Sequence, residues 1–148
     1  MNTQQDFEEL LKLFEQNNVS YVIIGGYAVA FYGYPRFTKD IDIFFNAIDA
    51  NIAKIKTALC TFGFSEDSLP DNLFTEDGNI IKFGIEPVRV DLLNKIDGIE
   101  YETVEKNTVR GKYGEIEVNF ISKGDLIINK AASGRPQDLL DIEKLKTN

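Results

Sequence analysis

The sequence predicts an α/β protein of the α+β kind: a mixed β-sheet covered by helices, with a helix pair at its C-terminal end. Three observations lead there. Apolar residues recur at intervals of three and four in several stretches, and short apolar, β-branched runs stop at glycines between them. The elements then follow in the order helix, strand, helix, strand, helix, a run of strands, and two helices, an alternation that covers a sheet with helices.

The elements are legible in turn. Thr3 and Asp6 have the spacing of a capping box, and Phe7, Leu10, Leu11 and Phe14 then line one helical face that ends near Asn17. Tyr21 to Ile24 reads as a buried strand stopping at Gly25-Gly26, and Tyr27 to Tyr32 as a short helix ended by Gly33. After Pro35, Asp40 to Phe45 reads as a strand with carboxylates at alternate positions. Ile48, Ile52, Ile55, Leu59 and Phe62 mark an amphipathic helix terminated by Gly63. Ser65 to Gly78 is polar, holds Pro70, and reads as a loop that borders a site or closes over it. Two strand pairs follow: Ile80 to Ile85 with Val88 to Leu93 around Glu86-Pro87, and Thr108 to Arg110 with Ile116 to Phe120 around Gly111 to Gly114. Ser122 with Asp125 starts a helix running to about Ala132, and Pro136 starts a last helix carrying Leu139, Leu140, Ile142 and Leu145.

Composition narrows the function classes. At 148 residues the expectation is one domain, and 43% hydrophobic residues argue against disorder. No apolar run approaches the ~18 residues of a membrane span, and the N-terminus lacks the features of a signal peptide, so a cytoplasmic protein without a membrane partner is expected. Cys60 is the only cysteine and histidine is absent, which excludes an intrachain disulfide, thiolate metal clusters, imidazole-bound zinc and every His-based triad. The formal net charge of −8 opposes non-specific attraction to nucleic acid. A local basic patch from Lys112, Lys123, Lys130 and Arg135 is still compatible with it.

The chemistry concentrates in carboxylates. Side chains two apart on a strand share a face, so Asp40 and Asp42 stand together and repel. Either they end a strand at the surface, or they hold a hard cation with oxygen ligands, Mg²⁺ or Mn²⁺. Asp91 lies inside the apolar run Val88 to Leu93, where a lone charge is costly. It needs a salt bridge with Arg89 or a lysine, or a place beside Asp40 and Asp42 around metal. Gly25-Gly26, between a strand and a helix, is either an ordinary tight turn or a place where backbone comes close to a phosphate.

Together, Gly25-Gly26-Tyr27-Ala28-Val29-Ala30, Arg36-Phe37-Thr38-Lys39-Asp40-Ile41-Asp42 and Val90-Asp91 resemble the nucleotidyltransferase (polymerase-beta-like) superfamily. The resemblance implies that fold. It also implies that Gly25 and Gly26 cradle a nucleotide triphosphate, that Asp40 and Asp42 hold Mg²⁺ or Mn²⁺, and that Asp91 completes the metal site and helps deprotonate the attacking hydroxyl. Lys130 to Asp141 resembles the Lys, Arg, Asp, Asp motif of the branch that includes toxins of type IV toxin-antitoxin and abortive-infection systems. There Lys130 contacts phosphates and Asp138 supports the site; the plainer reading is a solvated helix pair whose Asp138 and Asp141 favour a helix N-terminus. The implied nucleotide-binding set is thus Gly25, Gly26, Arg36, Thr38, Lys130, Arg135 and Asp138.

Two departures stand out: Gly26 replaces a serine common in the superfamily, and no additional helical domain is evident. The resulting expectation is a Mg-dependent enzyme moving a nucleoside monophosphate from an NTP to a hydroxyl of RNA or tRNA, protein or a small molecule. An antitoxin or other protein partner goes with the toxin-like reading. The alternative is a non-catalytic nucleotide-binding or partner-binding module.

Overall fold

In the computed structural model the described residues are 4–35, 38, 40–85 and 88–147. Helix α1 (Gln5–Gln16) turns Phe7, Leu10, Leu11 and Phe14 inward, as their spacing dictates. Its N-cap is Gln4; Thr3, the expected cap, lies outside the described residues. Strand β1 (Tyr21–Ile24) is buried at all four positions, so both faces of the sheet are covered there. Helix α2 (Gly25–Phe31) begins at Gly25 itself, two residues earlier than expected, because Gly25 turns the corner alone at φ 68°.

Strand β2 (Asp40–Phe45) precedes helix α3 (Asp49–Phe62), which ends at Gly63 with φ 136°. Ile48, expected on the buried face of α3, is instead its exposed N-cap residue. The expected loop from Ser65 to Gly78 contains a 3₁₀ turn at Glu66–Ser68 and the single turn α4 (Asn72–Thr75). Its Leu69 and Phe74 are buried, Phe74 edge-on to Phe45. Strands β3 (Ile80–Ile85) and β4 (Val88–Leu93) form the expected pair. Helix α5 (Tyr101–Lys106) was not anticipated. In the second hairpin β5 (Val109–Tyr113) runs straight through Gly111, and the turn to β6 (Ile116–Phe120) is Gly114-Glu115. The Ser122 hydroxyl accepts from the Asp125 N–H at the start of α6 (Lys123–Ser133), and Pro136 opens α7 (Pro136–Lys146).

Among the described residues the strands form one mixed sheet in the order β3-β4-β2-β1-β6-β5. β2 runs parallel to β4 and β1 parallel to β6, while β1–β2, β3–β4 and β5–β6 are antiparallel. The period of two in β2 sorts its side chains. Ile41, Ile43 and Phe45 join Tyr21, Ile23 and Leu92 in a core under α1 and α3. Phe44, and with it the Asp40 and Asp42 face, belongs to the opposite side, where Val22, Ile24, Val29, Tyr101 and Leu126 pack. Among the described residues no helix is long and apolar enough to cross a membrane.

Helix α7 reverses the expected pattern. Leu139 and Leu140 are each 54% exposed, while Asp138 and Asp141 are buried with Leu145. The cause is Lys130 of α6, which is itself buried and needs counter-charges.

Candidate active site

The parallel ladder between β2 and β4 sets Asp42 opposite Asp91 and Asp40 opposite Arg89. Asp42 and Asp91 therefore stand side by side on one face. As ionised groups they cannot bond each other, and Asp91 Oδ1 is left buried without a hydrogen-bond partner. Asp91 Oδ2 accepts from Lys82 Nζ at 3.2 Å. Burial above all, then the charges of Asp91 and Asp40, push the Asp42 carboxyl up from its ordinary 3.8 to about 7, against the opposing pull of Lys82. A proton on Asp42 turns its contact with Asp91 into a hydrogen bond. Asp40 leans the other way, with Oδ1 3.9 Å from Arg89 Nε. Among the described residues no three His, Cys, Asp or Glu side chains are arranged to hold a metal ion as they stand.

The glycine corner presses on this pair. A Cβ at Gly25 would come within 2.3 Å of Asp42 Oδ2, so both the positive φ and the close approach require glycine. A cleft of about 500 Å³ opens here, with Gly25, Asp42, Asp91 and Lys82 on one wall and Lys130 and Arg135 on the other. A wider groove of about 810 Å³ runs along α3, but its Lys56 and Asp71 pair with each other and it holds no carboxylate pair of this kind.

The helix pair is tied by charge. Lys130 Nζ lies 2.9 Å from Asp141 Oδ2 and 3.4 Å from Asp138 Oδ1, all three side chains almost wholly buried. Gln137 donates to the other Asp141 oxygen at 3.0 Å. Arg135, whose side chain is 76% exposed, donates from Nε to Asp138 Oδ2 at 2.8 Å. Burial raises the Asp138 carboxyl, but the hydrogen bonds from Arg135 and the charge of Lys130 outweigh it and hold the group below its ordinary value. Asp138 also accepts from the Arg135 backbone N–H, which is the helix-start role expected of it.

The structure thus gathers Gly25, Asp42 and Asp91 with Lys130, Arg135 and Asp138 around one cleft. Asp40 is next to them on β2. Gly26 is buried within α2, and Thr38 donates to the Asp40 carbonyl at 3.1 Å, fastening the start of β2. Arg36 lies outside the described residues. Lys112 sits on β5, at the far edge of the sheet from β3 and β4, so it does not join Lys130 and Arg135 in a patch.

Two participants escaped the sequence reading. Lys82 is one, signalled only by being the single charge in its strand. Asn94, directly after β4, is the other. Its Nδ2 donates to the carbonyls of Phe74 (3.0 Å) and Glu76 (2.8 Å), and its Oδ1 accepts from the Gly78 N–H (3.0 Å). The end of the Ser65 to Gly78 segment is thereby pinned at the cleft, which Gly78 helps to line.

The family model described as nucleotidyltransferase of unknown function (DUF6036) matches residues 3–147. No curated protein matches the sequence. Among solved structures, the lincomycin-bound lincosamide antibiotic adenylyltransferase LnuA is 18% identical with a TM-score of 0.55, covering 99% of this chain and 98% of its own. ANT(2")-Ia in complex with adenylyl-2"-tobramycin is 14% identical with a TM-score of 0.59, covering 95% and 86%. An antigenic nucleotidyltransferase-like protein from Paracoccidioides brasiliensis is 16% identical with a TM-score of 0.57, covering 95% and 74%. At these identities the three share the fold with this chain.

Proposed function

From the premise that the chain belongs to the family of nucleotidyltransferases of unknown function, we propose that it moves a nucleoside monophosphate from an NTP to an acceptor hydroxyl with the help of Mg²⁺ or Mn²⁺. The observation that carries this reading is the register of Asp42 against Asp91. Two carboxylates forced together, one holding a proton near neutrality and the other an orphaned buried oxygen, are an all-oxygen donor set that a hard divalent cation would satisfy. Asp42 and Asp91 would hold it, with Asp40 joining by turning from Arg89. When bound, the cation neutralises triphosphate charge and acidifies the acceptor hydroxyl.

The protein's own groups supply the rest. Asp91, on the strand beside Asp42, would accept the hydroxyl proton. Gly25 brings backbone close to the carboxylates without a side chain to obstruct the phosphates. Arg135 is the better phosphate ligand of the helix pair, since its side chain is mostly exposed although Asp138 holds one edge of it, while Lys130 is buried between two carboxylates. Lys130 and Asp138 then act by holding Arg135 in place. Such catalysis rests on positioning and charge neutralisation.

A small hydroxylated molecule is the acceptor with most support. The net charge of −8 disfavours long RNA, and the fold neighbours were seen with lincomycin and with adenylyl-2"-tobramycin. The toxin-like reading would replace it with a tRNA end or a protein. Thermal stability with ATP, GTP, CTP and UTP, with and without Mg²⁺, tests the reading in wild type and Asp42→Asn. A ligand at one hundred times its Kd stabilises by about 2.7 kcal/mol. The expected result is a Mg²⁺-dependent nucleotide shift that Asp42→Asn removes, followed by pyrophosphate release when acceptor is supplied. A shift that Asp42→Asn leaves intact overturns the metal assignment, and binding without pyrophosphate release under any acceptor favours the non-catalytic module.

A further inference from the structure

The antiparallel register of β3 and β4 places Lys82 opposite Asp91, and its ammonium rests on Asp91 Oδ2 at 3.2 Å. The Lys82 side chain is 53% exposed and that of Asp91 10%, so a solvent-facing cation covers a buried anion at the cleft. The other cations there have carboxylates of their own: Lys130 has Asp138 and Asp141, Arg135 has Asp138, and Lys95 has Asp77. Lys82 alone among these four is paired to the Asp42/Asp91 couple.

An ammonium resting on Asp91 Oδ2 opposes, by its charge, any divalent cation that takes the orphaned Oδ1 of the same carboxylate. Once a doubly charged ion neutralises that carboxylate, the attraction that held the ammonium is largely cancelled. The lysine stem is four carbons long and flexible, its head carries three donors, and it stands at the mouth of a cleft proposed to receive a triphosphate. We infer that Lys82 is the resident counter-ion of Asp91 in the metal-free protein and moves to the phosphates of the incoming nucleotide when a divalent cation takes Asp91. This rests on the metal-site reading above and adds to it a residue that couples cation binding to phosphate binding. Removing Lys82 must therefore act on the two ligands with opposite signs, which a merely structural lysine would not do.

The test uses Mn²⁺ alone, followed by the spin resonance signal of the free ion, and then magnesium tripolyphosphate by calorimetry. Wild type, Lys82→Met and Lys82→Arg are compared. Lys82→Met is expected to bind Mn²⁺ roughly two- to fivefold tighter, the range a half-exposed ion pair commands, and tripolyphosphate several-fold more weakly. Lys82→Arg is expected to stay near wild type for both, and Lys82→Gln serves in place of Met should that variant fold poorly. Unchanged or weakened Mn²⁺ binding in Lys82→Met overturns the counter-ion role. Tripolyphosphate that binds the variant as well as wild type, or does not bind wild type at all, overturns the phosphate role. If wild type and Asp42→Asn take up Mn²⁺ equally, the metal-site reading itself fails, an outcome distinct from the other two.

Discussion

Replacing Asp42 with asparagine should stabilise the metal-free protein at alkaline pH while leaving it little changed in acid. In the folded chain the Asp42 carboxyl titrates at about 7 instead of its ordinary 3.8, through burial and then through the charges of Asp91 and Asp40. It thus binds its proton more tightly folded than unfolded. Its contribution is full below pH 3.8 and is lost as pH rises towards 7. The gap of about three pH units, at ~1.4 kcal/mol each, is ~4 kcal/mol, of which roughly 2–3 kcal/mol falls between pH 5 and pH 8. Asparagine has nearly the same shape, cannot ionise, and can donate from its amide to Asp91. Urea unfolding in the presence of a chelator, at several pH values across that interval, measures the effect. The stability of the variant relative to wild type should climb by ~2–3 kcal/mol from pH 5 to pH 8, since the subtraction cancels most groups that the two proteins share. Parallel curves for the two proteins would refute the account of Asp42 as a carboxyl forced to keep its proton.

Two further changes test the neighbours. Gly25→Ala puts a methyl 2.3 Å from Asp42 Oδ2 at φ 68°, so urea midpoints should drop by the equivalent of ~1–3 kcal/mol and the nucleotide-dependent thermal shift should vanish; a variant as stable as wild type would contradict the close approach. Lys130→Met leaves Asp141 buried without its cation and Asp138 with Arg135 alone, and should cost ~3–5 kcal/mol in the same assay, part of which Asp141→Asn in the same chain should restore; a loss under 1 kcal/mol would mean the helix pair is held by packing alone.

Much of the chain was legible because it depends on backbone geometry close in sequence. The inward face of α1, the alternation along β2, the Ser122 cap and the opening proline of α7 all follow from local periods and caps. The family resemblance was legible for the same reason, since its glycines and carboxylates sit in short contiguous stretches. Helix α5 went unseen because only Tyr101 and Val104 are buried in it, too short a repeat to show a period. The hairpin turn was misplaced because Gly111, read as a turn residue, lies within β5 where a Cβ would strike the Phe31 ring.

What the tertiary structure alone decided is which groups meet across long separations. The sequence places Asp42 and Asp91 on strands, yet only strand order and register bring them side by side, since a shift by one residue would turn either to the other face. Lys82 enters the site through the same kind of register, on the other side of β4. In α7 the spacing of Asp138 and Asp141 defines a helical face as well as the leucines do, and local pattern favours burying the leucines. The buried ammonium of Lys130 reverses that preference, because a charge removed from water must find opposite charges beside it, and these came from the next helix.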